Sequence, residues 1–76
     1  MQTMSERLRW ARVKRGLTCI ALDAAAGLAS GHTAMIESGR REDPSGSTCS
    51  KLAAALEVDV AWLLNGGARP QIAVSK

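Results

Sequence analysis

A chain of 76 residues has room for one domain with a modest core. Its apolar positions are mostly alanine and leucine, with two Trp and neither Phe nor Tyr, and no run approaches the roughly 20 apolar residues of a membrane span. A formal net charge of +3, one histidine, no Ser/His/Asp constellation and no Gly-rich phosphate loop leave an enzyme, a cofactor or a metal site without support.

Thr3 and Glu6 have the spacing of a capping box, and Met4, Leu8 and Ala11 share one face of the helix they open, which Gly16 stops. Thr18 suits the N-cap of a second helix, with Leu17 and Leu22 placed as a hydrophobic staple and Leu22, Ala25 and Ala26 on one face. Gly27 ends it. Glycine enters the left-handed region at little cost, so the chain can be redirected there within three or four residues. Leu28 fills the corner. Thr33 and Ile36 give a third helix, over about 30–38, its own buried edge, and Gly39 closes it. Two helices joined by so tight a turn cross steeply, so the second projects while the first braces it. That layout is a helix-turn-helix and points to DNA; the plain alternative is a helical hairpin used only for packing.

The stretch from Arg40 to about Gly46 is a polar, proline-containing loop. Cys49, Leu52, Ala53 and Leu56 recur at i, i+3, i+4 and i+7, an amphipathic fourth helix. Asp59 caps a short fifth, with Val58 and Leu63 as its staple and Gly66 as its stop. Residues 67–76 have no period and read as a flexible tail beyond a domain of residues 1–66.

Charge is unevenly placed. Residues 1–41 hold seven Lys or Arg against three carboxylates, a net +4, whereas residues 42–76 carry −1. The basic half is the helix-turn-helix half, the footprint expected where phosphates are neutralised. Cys19 and Cys49 have no metal-ligand spacing. With no signal-peptide pattern at the start, they predict free thiols and a cytoplasmic protein. Cys19 falls at the first position of the second helix, where exposed N–H groups favour a thiolate, and the plain alternative is a small residue with no redox role.

The segments RLRWARVKRGLT, AGLASGHTAMIESGRR, KLAAALEV and DVAWLLNGG resemble, in that order, the DNA-binding domain of lambdoid phage repressors and Cro proteins, the XRE-type helix-turn-helix family. The resemblance covers about residues 4–66. It implies an all-α, five-helix lambda-repressor-like bundle whose third helix enters the major groove, usually in a symmetric dimer. At this length the chain reads as a minimal, Cro-sized regulator, unless it is a fragment of a longer protein.

By that resemblance the base-reading positions are Ser30, Gly31, His32 and Met35. Ser30 discriminates weakly, Gly31 allows close backbone approach, His32 can hydrogen-bond guanine or a phosphate, and Met35 can pack on a thymine methyl group. The plain alternative places His32 on an exposed face or in support of the turn, and Met35 in the core or against a partner. Phosphate contacts fall to Thr18, Cys19, Ser38, Arg40 and Arg41, with solvated surface charge as the alternative for the two arginines. Cys19 stands where the family often has glutamine. Arg12 and Glu37 match a structural ion pair joining the first helix to the end of the third. Asp23 stands where the family prefers a small residue. A carboxylate there could accept hydrogen bonds from the N–H groups opening the third helix, with Gly31 leaving it space.

The function expected is a sequence-specific DNA-binding transcription regulator, a dimeric repressor whose partners are double-stranded DNA and a second copy. Val60, Ala61, Trp62 and Leu64, with the loop before the fourth helix, are the expected dimer surface, Trp62 being otherwise wholly internal. The rival is a protein-binding module that inhibits a partner regulator through its apolar third helix.

Overall fold

The computed structural model describes residues 3–39 and 46–67, which form five helices: α1 (Met4–Lys14), α2 (Cys19–Ala26), α3 (His32–Glu37), α4 (Gly46–Leu56) and α5 (Val60–Asn65). The turn before α3 runs through Gly31, so Ser30 and Gly31 precede the helix rather than open it. The loop carrying Arg40 and Arg41, and the expected tail from residue 68 onward, lie outside the described residues.

Helix starts follow their caps. The Thr3 hydroxyl accepts from the Glu6 N–H at 3.2 Å and donates to the Glu6 carboxylate at 3.1 Å. Thr18 accepts from Ala21 N–H at 3.0 Å, and Asp59 from Ala61 N–H at 3.0 Å. Each such cap contributes on the order of 1 kcal/mol.

Three helices stop in the same way. After α1, α2 and α4 the chain turns left-handed at Gly16, Gly27 and Glu57. That residue and the next then return their N–H groups to carbonyls of the last turn: Gly27 to Ala24 and Leu28 to Asp23, for instance. The next residue is apolar each time (Leu17, Leu28, Val58) and packs on the core. At Glu57 no glycine relieves the strain of φ 57°; there Arg15 donates to the Leu56 carbonyl at 2.8 Å and pairs with the Glu57 carboxylate at 3.3 Å.

Leu8, Leu22, Ile36, Leu52, Leu56 and Leu63 are fully buried, one or more from every helix, each contributing about 1.5–3 kcal/mol by burial. α2 packs on α3 and α4, and α1 spans from α3 to α5. Two expectations change here. The inward face of α2 is Leu22, Asp23 and Ala26, and Ala25 is exposed, because the helix turns its acidic side toward the start of α3. Trp62 is only 6% exposed and meets the Trp10 ring edge-on, with centroids 5.7 Å apart. It belongs to the protein's own core and not to a dimer surface, while Ala61 and Leu64 of the same helix face outward and Val60 is half-buried.

Arg7 is buried as well. Its Nε donates to the Leu63 carbonyl at 2.8 Å and its Nη2 to the Leu64 carbonyl at 2.7 Å, closing the C-terminal end of α5. Arg7, Arg12 and Arg15 all turn their donors onto carbonyls of the protein itself. Much of the positive charge counted in the N-terminal half therefore serves the fold rather than a phosphate footprint. Arg9 and Lys14 stay exposed, with the Lys14 ammonium 5.9 Å from the Trp10 ring.

Candidate nucleic-acid interface

α3 is only six residues long, too short to hold itself helical, and its N-cap residue Gly31 has no side chain to cap it. The cap comes from α2. One oxygen of the Asp23 carboxylate accepts from Thr33 N–H at 2.9 Å and from the Thr33 hydroxyl at 2.6 Å; the other accepts from Gly31 N–H at 2.9 Å. Asp23 is 1% exposed and Thr33 fully buried, so this carboxylate fixes the position of α3 against α2 from inside. The expected role of Asp23 is thus present. The expected reason for Gly31 is not: a Cβ there would meet nothing within 4 Å, so glycine is needed for φ 102° and not to clear space.

The other end of α3 is tied to α1. Arg12 and Glu37 make the bidentate pair expected, Nε to Oε2 at 2.7 Å and Nη2 to Oε1 at 3.1 Å, with side chains 15% and 10% exposed. The third donor of Arg12 reaches the Leu17 carbonyl at 2.8 Å. The hydrogen bond to Glu37 holds the guanidinium above its ordinary pKa. The pair fixes orientation more than it adds net stability, since desolvation offsets much of the attraction. The Ser5 hydroxyl adds a bond to the Ile36 carbonyl at 2.6 Å. Sequence reasoning passed over Ser5, yet the signal was there: Ser5 and Arg12 are seven residues apart and share a helix face.

Cys19 departs from expectation. Its thiol points to Glu37 Oε2 at 3.9 Å, and burial, followed by the Glu37 charge, pushes its pKa up despite nearby Arg12. Burial and the neighbouring carboxylate thus oppose the thiolate that the helix start would favour. Cys49 is buried against the Met4 sulfur at 3.9 Å.

With both ends of α3 clamped, one face is left outward. Ser30, Ala34, Met35 and Ser38 are exposed, and His32 is half-buried with its ring Nδ1 3.0 Å from the Ala29 carbonyl. Met35 therefore lies outside the core. Thr18 is exposed at the start of α2, and the Ser38 hydroxyl donates back to the Met35 carbonyl at 3.0 Å. The geometry brings Ser30, His32 and Met35 onto one small surface at and beyond the turn. Among the described residues no cluster of His, Cys, Asp or Glu could hold a metal ion.

The helix-turn-helix family model HTH_3 matches residues 8–63. No curated protein matches the chain by sequence. Among solved structures, the P22 c2 repressor in complex with a synthetic operator is similar at 30% identity over 88% of this chain and all of that one, with a TM-score of 0.80. The restriction-modification controller protein C.AhdI from Aeromonas hydrophila is 31% identical over 80% of this chain and 91% of its own, with a TM-score of 0.75. SinR, the Bacillus subtilis master regulator for biofilm formation, solved in complex with DNA, is 28% identical over 80% and 97%, with a TM-score of 0.77. These relatives are regulators, not enzymes.

Proposed function

The chain belongs to the XRE-type helix-turn-helix family of DNA-binding transcription regulators, and we propose that it is a sequence-specific repressor that binds DNA as a homodimer with α3 in the major groove. The observation that carries this reading is the double clamp on α3. Asp23 holds its start and Arg12, Glu37 and Ser5 hold its end, which leaves a rigid outward face of Ser30, His32, Ala34 and Met35. A helix fixed so firmly loses little freedom on docking. Ser30 and His32 supply polar contacts to base edges, Gly31 allows backbone approach and Met35 adds an apolar contact. Thr18, the free N–H groups at Cys19 and Ile20, Ser38 and the two arginines at 40 and 41 supply phosphate contacts.

Arg40→Ala and Arg41→Ala are expected to weaken binding to specific and random duplexes alike, each flattening the slope of log affinity against log salt by about one unit. Fluorescence anisotropy titrations at several salt concentrations measure this. Full affinity and an unchanged slope in both variants would place the binding face elsewhere.

The dimer surface we propose is Val60, Ala61 and Leu64 of α5, now without Trp62. Sedimentation should show a dimer, and the operator should be a near-palindrome with half-sites about one helical turn apart. A monomer at every concentration, with and without DNA, would reject it.

The second reading is a protein-binding module. It is favoured by the apolar exposure of Met35, 44%, and Ile20, 68%, and by the SinR neighbour having been solved in complex with SinI protein. A contact of that kind would hold its affinity as salt rises, where a phosphate contact would not.

A further inference from the structure

We infer that His32 acts toward DNA as a hydrogen-bond acceptor and selects, on the strand it contacts, a base presenting an exocyclic amino group, adenine N6 or cytosine N4, over guanine or thymine. This rests on the placement of α3 in the major groove proposed above. The ring Nδ1 lies 3.0 Å from the Ala29 carbonyl oxygen. A carbonyl can only accept, so Nδ1 carries the hydrogen, and in the neutral imidazole Nε2 is then a bare acceptor. Among the described residues no group engages Nε2. Nor is it hidden, since no buried side-chain nitrogen or oxygen among the described residues lacks a partner. An unpartnered acceptor is therefore held in a fixed tautomer and accessible at the start of α3.

Its neighbours do not share this directionality. The Ser30 hydroxyl donates or accepts with equal ease, Gly31 has no side chain, and Ala34 and Met35 are apolar. In the major groove, guanine N7 and O6 and thymine O4 are acceptors, whereas adenine N6 and cytosine N4 are donors. A lone pair on Nε2 is matched by the two amines and opposed by the rest. This narrows what histidine could do in the abstract, where guanine was equally open to it. The turn has already chosen the tautomer.

The experiment uses the full chain and a duplex selected from a random pool. Each base of the bound half-site is replaced in turn by an analogue lacking one group: deoxynebularine for adenine without its amine, deoxyzebularine for cytosine without its amine, and deazaguanine for guanine without N7. At one position per half-site, loss of the amine should weaken binding roughly three- to tenfold, the range of a single neutral hydrogen bond. Which analogue is sensitive tells adenine from cytosine. His32→Ala should abolish that sensitivity and leave the salt slope unchanged, a result that a merely structural histidine would not give. Urea unfolding of the variant confirms that it is folded. Sensitivity confined to the deazaguanine duplex would mean that Nε2 donates, and would overturn the inference while leaving DNA binding intact. So would amine sensitivity that survives in His32→Ala. Failure to select any duplex would remove the placement of α3, and this inference with it.

Discussion

Asp23→Ala is expected to lower the free energy of unfolding by about 3 kcal/mol, a large fraction of what a domain of this size holds. The carboxylate accepts three hydrogen bonds, and its removal leaves the Thr33 N–H and hydroxyl buried without partners and the Gly31 N–H without its cap. Buried donors without partners cost on the order of 1–3 kcal/mol each, and Gly31, being only half-buried, falls at the low end. Asp23→Asn should cost roughly half as much. The amide can turn its oxygen to Thr33, but then its NH2 faces the Gly31 N–H, donor against donor. Thr33→Val removes one bond at nearly constant volume, with a cost of about 1 kcal/mol. Urea unfolding at unchanged m-value measures all three. If Asp23→Ala lost less than about 0.5 kcal/mol, the carboxylate would not be what holds α3. The same variant should lose discrimination between duplexes before it loses affinity for random DNA, because phosphate contacts tolerate a loosened α3 and base contacts do not.

What was legible in the sequence was local. Thr3, Thr18 and Asp59 act on N–H groups two or three residues away, and Gly16, Gly27 and Gly39 act on their own backbone, so one-dimensional spacing is enough to find them. The Leu8, Leu22 and Leu52 core followed from helical periodicity in the same way, and Leu63 from its staple with Val58. Side chains whose partners lie on another helix were harder. Asp23 could be foreseen only by asking what would satisfy the start of α3. Trp62 was open between two fates until Trp10 was seen to cover it. Arg7 misled most, because a count of charge treats every arginine as solvated. Yet Met4, Arg7, Leu8 and Ala11 share the spacing of an inward face, and an arginine on such a face needs carbonyls to receive it. At His32 the sequence offered a base contact or support of the turn, and only the fold shows that the turn brings the Ala29 carbonyl within 3.0 Å of its Nδ1.

Arg7→Met should destabilise the protein by about 3 kcal/mol while keeping most of the apolar stem of the side chain. α5 has six residues, and its last carbonyls have no partners within the helix. The guanidinium satisfies two of them, at Leu63 and Leu64, and places a positive charge at the negative end of the helix. Methionine would leave the Leu63 carbonyl buried and unpaired and the part-buried Leu64 carbonyl without its donor. Lysine, a point charge with a different reach, should recover part of the loss but not the two-pronged contact. The neighbouring Gly66 gives an independent check. A Cβ there would stand 3.2 Å from Arg7 Nη1 at φ 86°, so Gly66→Ala is strained in its backbone and presses on the same guanidinium. It should cost about 1–2 kcal/mol in the parent and distinctly less in the Arg7→Met background, a coupling that a double-mutant cycle reads directly. Undocking of α5 should appear first in the near-ultraviolet circular dichroism, because Trp62 leaves the edge of Trp10, while most helical signal stays. Since Val60, Ala61 and Leu64 ride on this helix, Arg7→Met should also weaken the proposed dimer more than it perturbs α3. Native stability in Arg7→Met would show that packing of Leu63 and Trp62 alone holds α5, and that the arginine merely fills space beside it.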